Sequence, residues 1–182
     1  MDRVLRAALA PVLGCEPSAL RFEREAKGRP FVAGAGMPDF NLSDTDGGTL
    51  VAVVGRGRIG VDLERRDRAP PVTALARRYF DATEARALAA MPADAARLAF
   101  LHLWTAKEAS CKATGTGIFG WLPHWRFDPV DETPHLLAAP AHAGATSRWQ
   151  HWRIAPVPSH TAVLALQDGA SPRQIAYRLA LD

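Results

Sequence analysis

Four side chains stand out for the chemistry they could do together. Asp62 and Glu64 lie two apart in Arg58-Ile59-Gly60-Val61-Asp62-Leu63-Glu64, where apolar and other residues alternate. That period reads as a strand, so both carboxylates leave one face with Cα atoms about 7 Å apart. Carboxylates held this way suit a hard divalent cation, Mg2+ above all, which takes one or two carboxylates together with substrate phosphates. The competing reading is a strand face ion-paired to Arg65 or Arg66, since surface pairs are common and weak. Glu108 and Lys112 are four apart on a helical pattern, and as an isolated pair they would be ordinary surface partners. Lysine is scarce, however: the 22 basic residues include only Lys27, Lys107 and Lys112, and two of these fall five residues apart here. A lysine is a compact charge that binds phosphate and yields a proton when its pKa is lowered. Arg21 and the turn Lys27-Gly28-Arg29-Pro30 offer further cations for an anionic ligand.

These residues need elements to position them. Residues 3–13 read as a short helix, followed by a brief extended piece and the Lys27–Pro30 turn. Phe40–Ser43 and Leu50–Val54 read as strands joined by the turn-rich Asp44-Thr45-Asp46-Gly47-Gly48, and Gly55-Arg56-Gly57 leads into the strand with the two carboxylates. After Pro70-Pro71, Val72, Leu75, Ala76, Tyr79 and Phe80 follow an amphipathic helical pattern. Asp81 is placed to cap a second short helix with Glu84 three residues on. Residues 94–114 form the longest helix, with Leu98, Leu101, Trp104 and Ala109 expected on its buried side, stopped by Gly115-Thr116-Gly117. Phe119–Phe127, Trp149–Ile154 and Thr161–Leu166 are the remaining extended candidates, with a loop at 128–147. Helices mixed with antiparallel hairpins in this order predict an α+β fold.

Composition narrows the function classes. The chain has 182 residues, 48% hydrophobic and 23% charged, with a net charge of +3, which fits a globular protein of one domain or two small lobes. Two cysteines are too few for a secreted disulfide framework, and no His or Cys spacing matches a zinc site, so a reducing cytoplasm is expected. The only early apolar stretch is short and broken by Pro11, so neither a signal peptide nor a membrane contact is expected. A net charge of +3 is too mild to predict nucleic acid, but it favours an acidic partner. The six histidines show no hydrolase order, and the five tryptophans read as packing residues.

The segment Gly60-Val61-Asp62-Leu63-Glu64, followed by Trp104-Thr105-Ala106-Lys107-Glu108-Ala109-Ser110-Cys111-Lys112-Ala113-Thr114-Gly115, resembles the paired signature of the 4′-phosphopantetheinyl transferases of the surfactin-synthetase type, in the holo-[acyl-carrier-protein] synthase superfamily. Lys27-Gly28-Arg29-Pro30, Phe40-Asn41-Leu42-Ser43 and Arg78-Tyr79-Phe80 add to the likeness, which spans roughly residues 20–120. The resemblance implies transfer of the phosphopantetheine arm of coenzyme A to a serine of an apo acyl or peptidyl carrier protein, releasing adenosine 3′,5′-bisphosphate. It implies a pseudo-dimer of two α+β halves, here 1–56 on the coenzyme side and 57–182 with the metal site, acting as a monomer with internal pseudo-symmetry. It also implies that Asp62, Glu64 and Glu108 hold Mg2+, that Glu108 is the base and that Lys112 protonates the leaving phosphate. Coenzyme contacts would come from Arg29, Ser43, Lys107 and Lys112, with Arg21 compensating for missing amino-terminal cations. The acidic carrier would dock along the basic stretch Arg65–Arg86.

Two features depart from the family pattern. Asp44 stands where many members have a phosphate-contacting histidine, and the part before Arg21 is short. They motivate an alternative reading as an inactive coenzyme A or carrier-protein binding module of the same fold. A Mg2+-dependent nuclease is a further alternative, disfavoured because Glu108 and Lys112 are four apart on a helix rather than two apart on a strand.

Overall fold

The computed structural model describes residues 2–131, 133–167 and 176–181. Helix α1 (Asp2–Leu13) is followed by the short strands β1 (Phe22–Arg24) and β2 (Pro30–Val32), then by the hairpin β3 (Asp39–Thr45) and β4 (Gly48–Val54) and by strand β5 (Arg58–Arg65). Helices α2 (Val72–Tyr79), α3 (Ala82–Ala89) and α4 (Ala93–Thr114) come next. Strands β6 (Arg126–Phe127), β7 (Leu136–Ala138), β8 (Trp149–Ile154), β9 (His160–Gln167) and β10 (Ala176–Leu181) complete the described elements. The α+β expectation holds.

Two three-stranded antiparallel sheets, β10-β4-β3 and β5-β9-β8, carry the fold. Side chains alternate across a strand, and each sheet uses that alternation on both faces. Leu50, Ala52 and Val54 of β4 meet Ile59, Val61 and Leu63 of β5 and Ala162, Leu164 and Leu166 of β9 in one apolar layer between the sheets. On the outer face of the first sheet, Phe40, Val51 and Val53 pack against Leu5, Ala8 and Leu9 of α1. On the outer face of the second, Val163 and Ala165 pack with Phe100, Leu101, Leu103, Ala106 and Ala109 of α4. Both faces of β4 and β9 are thus covered, which is why these two strands read as nearly continuous apolar runs.

One glycine sets how closely the second sheet and its helix approach. A Cβ on Gly60 would lie 1.9 Å from the Ala109 carbonyl oxygen and 2.5 Å from the Ala113 nitrogen. Those atoms belong to helix backbone and cannot turn away. At the far end of α4, Gly115 adopts φ +69° and caps the helix in the left-handed conformation that glycine tolerates best.

Helix α3 begins as its sequence implies, with the Asp81 side chain accepting the Thr83 amide and Glu84 accepting the Asp81 amide. Leu101 and Ala109 of α4 are buried, whereas Leu98 and Trp104 are only half-buried. Two expectations need correction. Residues 119–127 are not one strand: a 3-10 turn occupies Leu122–His124, and only Arg126–Phe127 are extended. The carbonyls of Leu122 and Trp125 are drawn to the buried Lys107 ammonium instead of to a strand partner. The segment 128–147 is more ordered than a loop, since β7 pairs with β6 and two further 3-10 turns follow. Strand β10 pairs with β4 from Ala176↔Val53 to Leu181↔Gly48, so the described chain returns to the first sheet.

Gly60→Ala is expected to lower the unfolding free energy by about 1–3 kcal/mol or more, as overpacking does in a rigid core; urea denaturation measures it, and a change under 0.5 kcal/mol, roughly the size of a surface effect, would contradict the close approach.

Candidate functional site

A cleft of about 640 Å3 opens where the carboxylate face of β5 meets α4 and the end of β3. That volume lies within the range of small-molecule sites. Ser43, Asp62, Glu64, Glu108 and Lys112 all line it, so residues from three elements converge where the sequence could only suggest them pairwise.

Charge is packed tightly here. The Lys112 Nζ donates to Asp62 Oδ1 at 2.7 Å and to Ser43 Oγ at 2.9 Å, while Ser43 Oγ donates to Asp62 Oδ1 at 3.0 Å. Asp62 is 3% exposed, and its second oxygen, Oδ2, is buried with no hydrogen-bond partner. Glu64 pairs with Arg68, not with Arg65 or Arg66; Arg65 instead spans Asp46 at 2.7 Å and Asp67 at 2.5 Å. Burial first and the Asp62 charge second push the Glu64 carboxyl up to about 6, against the pull of Arg68 and Lys112. Glu108 is pushed up to about 7, again by burial and then by Asp62. Burial opposes the charge of Lys112, but Asp62, Glu108 and Glu64 together outweigh it and hold its pKa above the ordinary lysine value.

The donor set fits a divalent cation. A buried, unpartnered carboxylate oxygen is costly unless something binds it, and two neighbouring carboxylates with raised pKa values lack positive charge. Among the described residues no three metal-ligating side chains stand close enough to hold an ion as placed: Lys112 draws Asp62 and Arg68 draws Glu64.

Three expected coenzyme ligands, Lys107, Arg21 and Arg29, do not line this cleft. Lys107 is fully buried and pairs with Glu84 at 2.6 Å, donates to the Leu122 and Trp125 carbonyls, and lies 4.7 Å from the centre of the Phe80 ring. Glu84 also accepts the Asp81 and Phe127 amides, so this pair ties α3, α4 and β6 together and has no opening to the cleft. Burial lowers the Lys107 pKa, and Glu84 opposes the shift. Removing one partner of such a pair costs about 3–5 kcal/mol. Arg21 donates to the Ser18 and Leu20 carbonyls and does not line the cleft. Arg29 is 7% exposed, with both terminal nitrogens on the Asp39 carboxylate at 2.8 Å and its remaining donors on the carbonyls of Phe40, Ile59 and Lys112. Its guanidinium is occupied by protein; Arg29 borders a smaller adjoining pocket of about 240 Å3 with Pro30, Leu42 and Lys112. Asp44 lines the cleft, is exposed, and accepts the Thr49 hydroxyl at 2.5 Å.

Residues 58–167 match the model of the 4′-phosphopantetheinyl transferase superfamily. The chain belongs to this superfamily. HetI of Nostoc, a 4′-phosphopantetheinyl transferase, is 37% identical over 119 residues, covering 63% of this chain and 50% of HetI. The 4′-phosphopantetheinyl transferase psf-1 of Bacillus pumilus is 39% identical over 121 residues, 66% of this chain and 51% of psf-1. A Synechocystis relative, slr0495, is 34% identical over 160 residues, 87% of this chain and 63% of its own. The chain thus spans half to under two-thirds of the length of these relatives. The matched region holds Asp62, Glu64, Glu108 and Lys112 but begins after Ser43.

The raised carboxylates set a pH dependence. Folded Glu64 and Glu108 bind protons up to about pH 6 and 7, and release them near 4.5 when unfolded. The folded state therefore holds more protons in that window, and stability falls as pH rises through it. Urea denaturation in EDTA is expected to show a less stable protein near pH 7.5 than near pH 5, with millimolar Mg2+ restoring more at the higher pH, as a ligand specific to the folded, deprotonated site must. A flat profile in Glu108→Gln would assign the effect to this cluster.

Proposed function

We propose that this protein transfers the 4′-phosphopantetheine group of coenzyme A to a serine of an apo acyl or peptidyl carrier protein, with release of adenosine 3′,5′-bisphosphate, as a member of the surfactin-synthetase type. What carries the reading is the joining of Ser43, Asp62, Glu64, Glu108 and Lys112 in one cleft, in a chain of this superfamily.

Phosphoryl transfer needs in-line positioning and neutralisation of charge on the transferred and leaving oxygens. Mg2+, which Asp62, Glu64 and Glu108 would hold, supplies part of that neutralisation on the pyrophosphate. Glu108 takes the proton of the carrier serine, directly or through water; with its carboxyl raised to about 7 it is basic enough to accept it and still ionised in part at neutral pH. The serine oxygen forms its bond to the phosphorus of the pantetheine arm as the bond to the nucleotide phosphate breaks. Asp62 holds the Lys112 pKa up, so Lys112 enters the reaction protonated, placed to bind the pyrophosphate and to give its proton to the leaving phosphate oxygen. Ser43 orients that ammonium and is the coenzyme-side residue nearest to it.

The carrier would approach over α2 and α3. Arg65 and Arg68 are engaged by Asp46, Asp67 and Glu64, whereas Arg66, Arg77, Arg78 and Arg86 are exposed and give an acidic partner its steering charge. No helix among the described residues is long and apolar enough to cross a membrane.

Intact-mass spectrometry of apo carrier proteins incubated with the protein, coenzyme A and Mg2+ is expected to show the gain of one phosphopantetheine. EDTA, Glu108→Gln or Asp62→Asn should abolish it with the fold retained. No gain on any carrier, with coenzyme A still bound, would replace the transferase reading with a binding module. Reversing Arg78 and Arg86 together to Glu should raise the KM for an acidic carrier several-fold and leave the KM for coenzyme A alone, because rim charges act on encounter with the partner; an unchanged carrier KM would move docking to another face.

A further inference from the structure

Strand β5 is the edge of its sheet: one side pairs with β9, and the other has no backbone partner among the described residues. An edge so placed inside the protein leaves amides that must be satisfied. Strand β3, itself the edge of the other sheet, satisfies them with side chains. The Ile59 amide donates to Asp39 Oδ2 at 2.7 Å, the Val61 amide to Asn41 Oδ1 at 3.0 Å, and the Leu63 amide to Ser43 Oγ at 3.1 Å. Residues i, i+2 and i+4 of one strand therefore meet residues j, j+2 and j+4 of the other, and the two sheets are joined by a ladder with side chains for one rail. Arg29 fixes its first rung, gripping Asp39 bidentately while also donating to the Ile59 carbonyl and, through Nε at 2.9 Å, to the Lys112 carbonyl.

The last two rungs bracket Asp62. Its neighbours Val61 and Leu63 are pinned by Asn41 and Ser43, and the Ser43 hydroxyl that closes the ladder also receives the Lys112 ammonium and bonds to Asp62. We infer that Asn41 is a positioning residue for the reaction: by holding the Val61 amide it sets the register of β5 against β3, and so the placement of the Asp62 carboxylate between Ser43 and Lys112. Asn41 itself is 4% exposed and does not line the cleft. The inference rests on the transferase reading given above.

Asn41→Leu keeps the bulk and removes the acceptor; Asn41→Asp keeps an oxygen in place. Leu9→Ala, in the α1 core that packs on the opposite face of β3 from the ladder, serves as a destabilised control. Measured well below each unfolding midpoint, Asn41→Leu is expected to lower kcat about tenfold or more with the KM for coenzyme A little changed, since small displacements of reacting groups cost that much. Asn41→Asp should recover most of the loss, and Leu9→Ala should keep the wild-type kcat. Hydrogen exchange of the native chain should show the Val61 and Leu63 amides protected, with that protection lost in Asn41→Leu but kept in Leu9→Ala. A wild-type kcat in Asn41→Leu, an equal loss in Leu9→Ala, or unprotected Val61 and Leu63 amides in the wild type would each overturn the inference. A wild-type protein that transfers nothing refutes the transferase reading, and with it any reaction for Asn41 to serve; the exchange result then decides whether the ladder exists.

Discussion

The contact of β5 with the backbone of α4 at Gly60 is the constraint on which the site depends. With a hydrogen in place of a methyl group, the strand comes within reach of the Ala109 carbonyl and the Ala113 amide, and the carboxylates that follow at Asp62 and Glu64 are brought beside Glu108 and Lys112. Any larger residue would push the helix outward and carry Lys112 with it, separating the ammonium from Asp62 by more than a hydrogen bond allows. The glycine in the Gly-Val-Asp-Leu-Glu segment is therefore as necessary to the arrangement of the cleft as the acids are.

Around that contact the protein concentrates unfavourable charge and then offsets most of it. Asp62, Glu64 and Glu108 repel one another in a partly dehydrated cleft, with Lys112 and Arg68 as compensation, and the remaining deficit shows as two raised carboxyl pKa values and one orphaned oxygen. Such a site is poorly satisfied alone and well suited to a ligand that brings positive charge together with phosphate oxygens. A second buried ion pair, Lys107 with Glu84, is treated in the opposite way: every oxygen and the ammonium have partners, and the pair is closed off from solvent. Two lysines five residues apart on one helix thus serve different ends, one fastening α3 and β6 to α4 and the other facing the cleft.

The rest of the fold holds three elements in register. Helix α4 is fixed by its small-residue face against β5 and β9 and by Arg29 on its last turn. Strand β5 is fixed on one side by β9 and on the other by the side chains of β3. The return of β10 to β4 covers the first sheet and links the end of the described chain to its beginning. These restraints act from both halves, so the site behaves as a property of their junction and not of either half.

Most of the secondary structure was legible in the sequence because local rules decide it. Alternation marked β5; the Asp81/Glu84 spacing marked the start of α3; and Gly115 marked the end of α4. The segment 119–127 misled because its apolar residues look like a strand, while its carbonyls are claimed by an ammonium that no local pattern reveals. The grouping of Asp62, Glu64, Glu108 and Lys112 was foreshadowed by a spacing that resembles the family signature, and the structure brings all four to one cleft. Tertiary structure alone decided that Arg29 and Lys107 are spent on protein groups, that Lys112 meets Asp62 and Ser43, and that Asp39, Asn41 and Ser43 serve as hydrogen-bond partners for a strand in another sheet. The physical reason is that a side chain's type and spacing fix what it can do, but its burial and its neighbours, set by segments distant in the chain, fix which of those things it does.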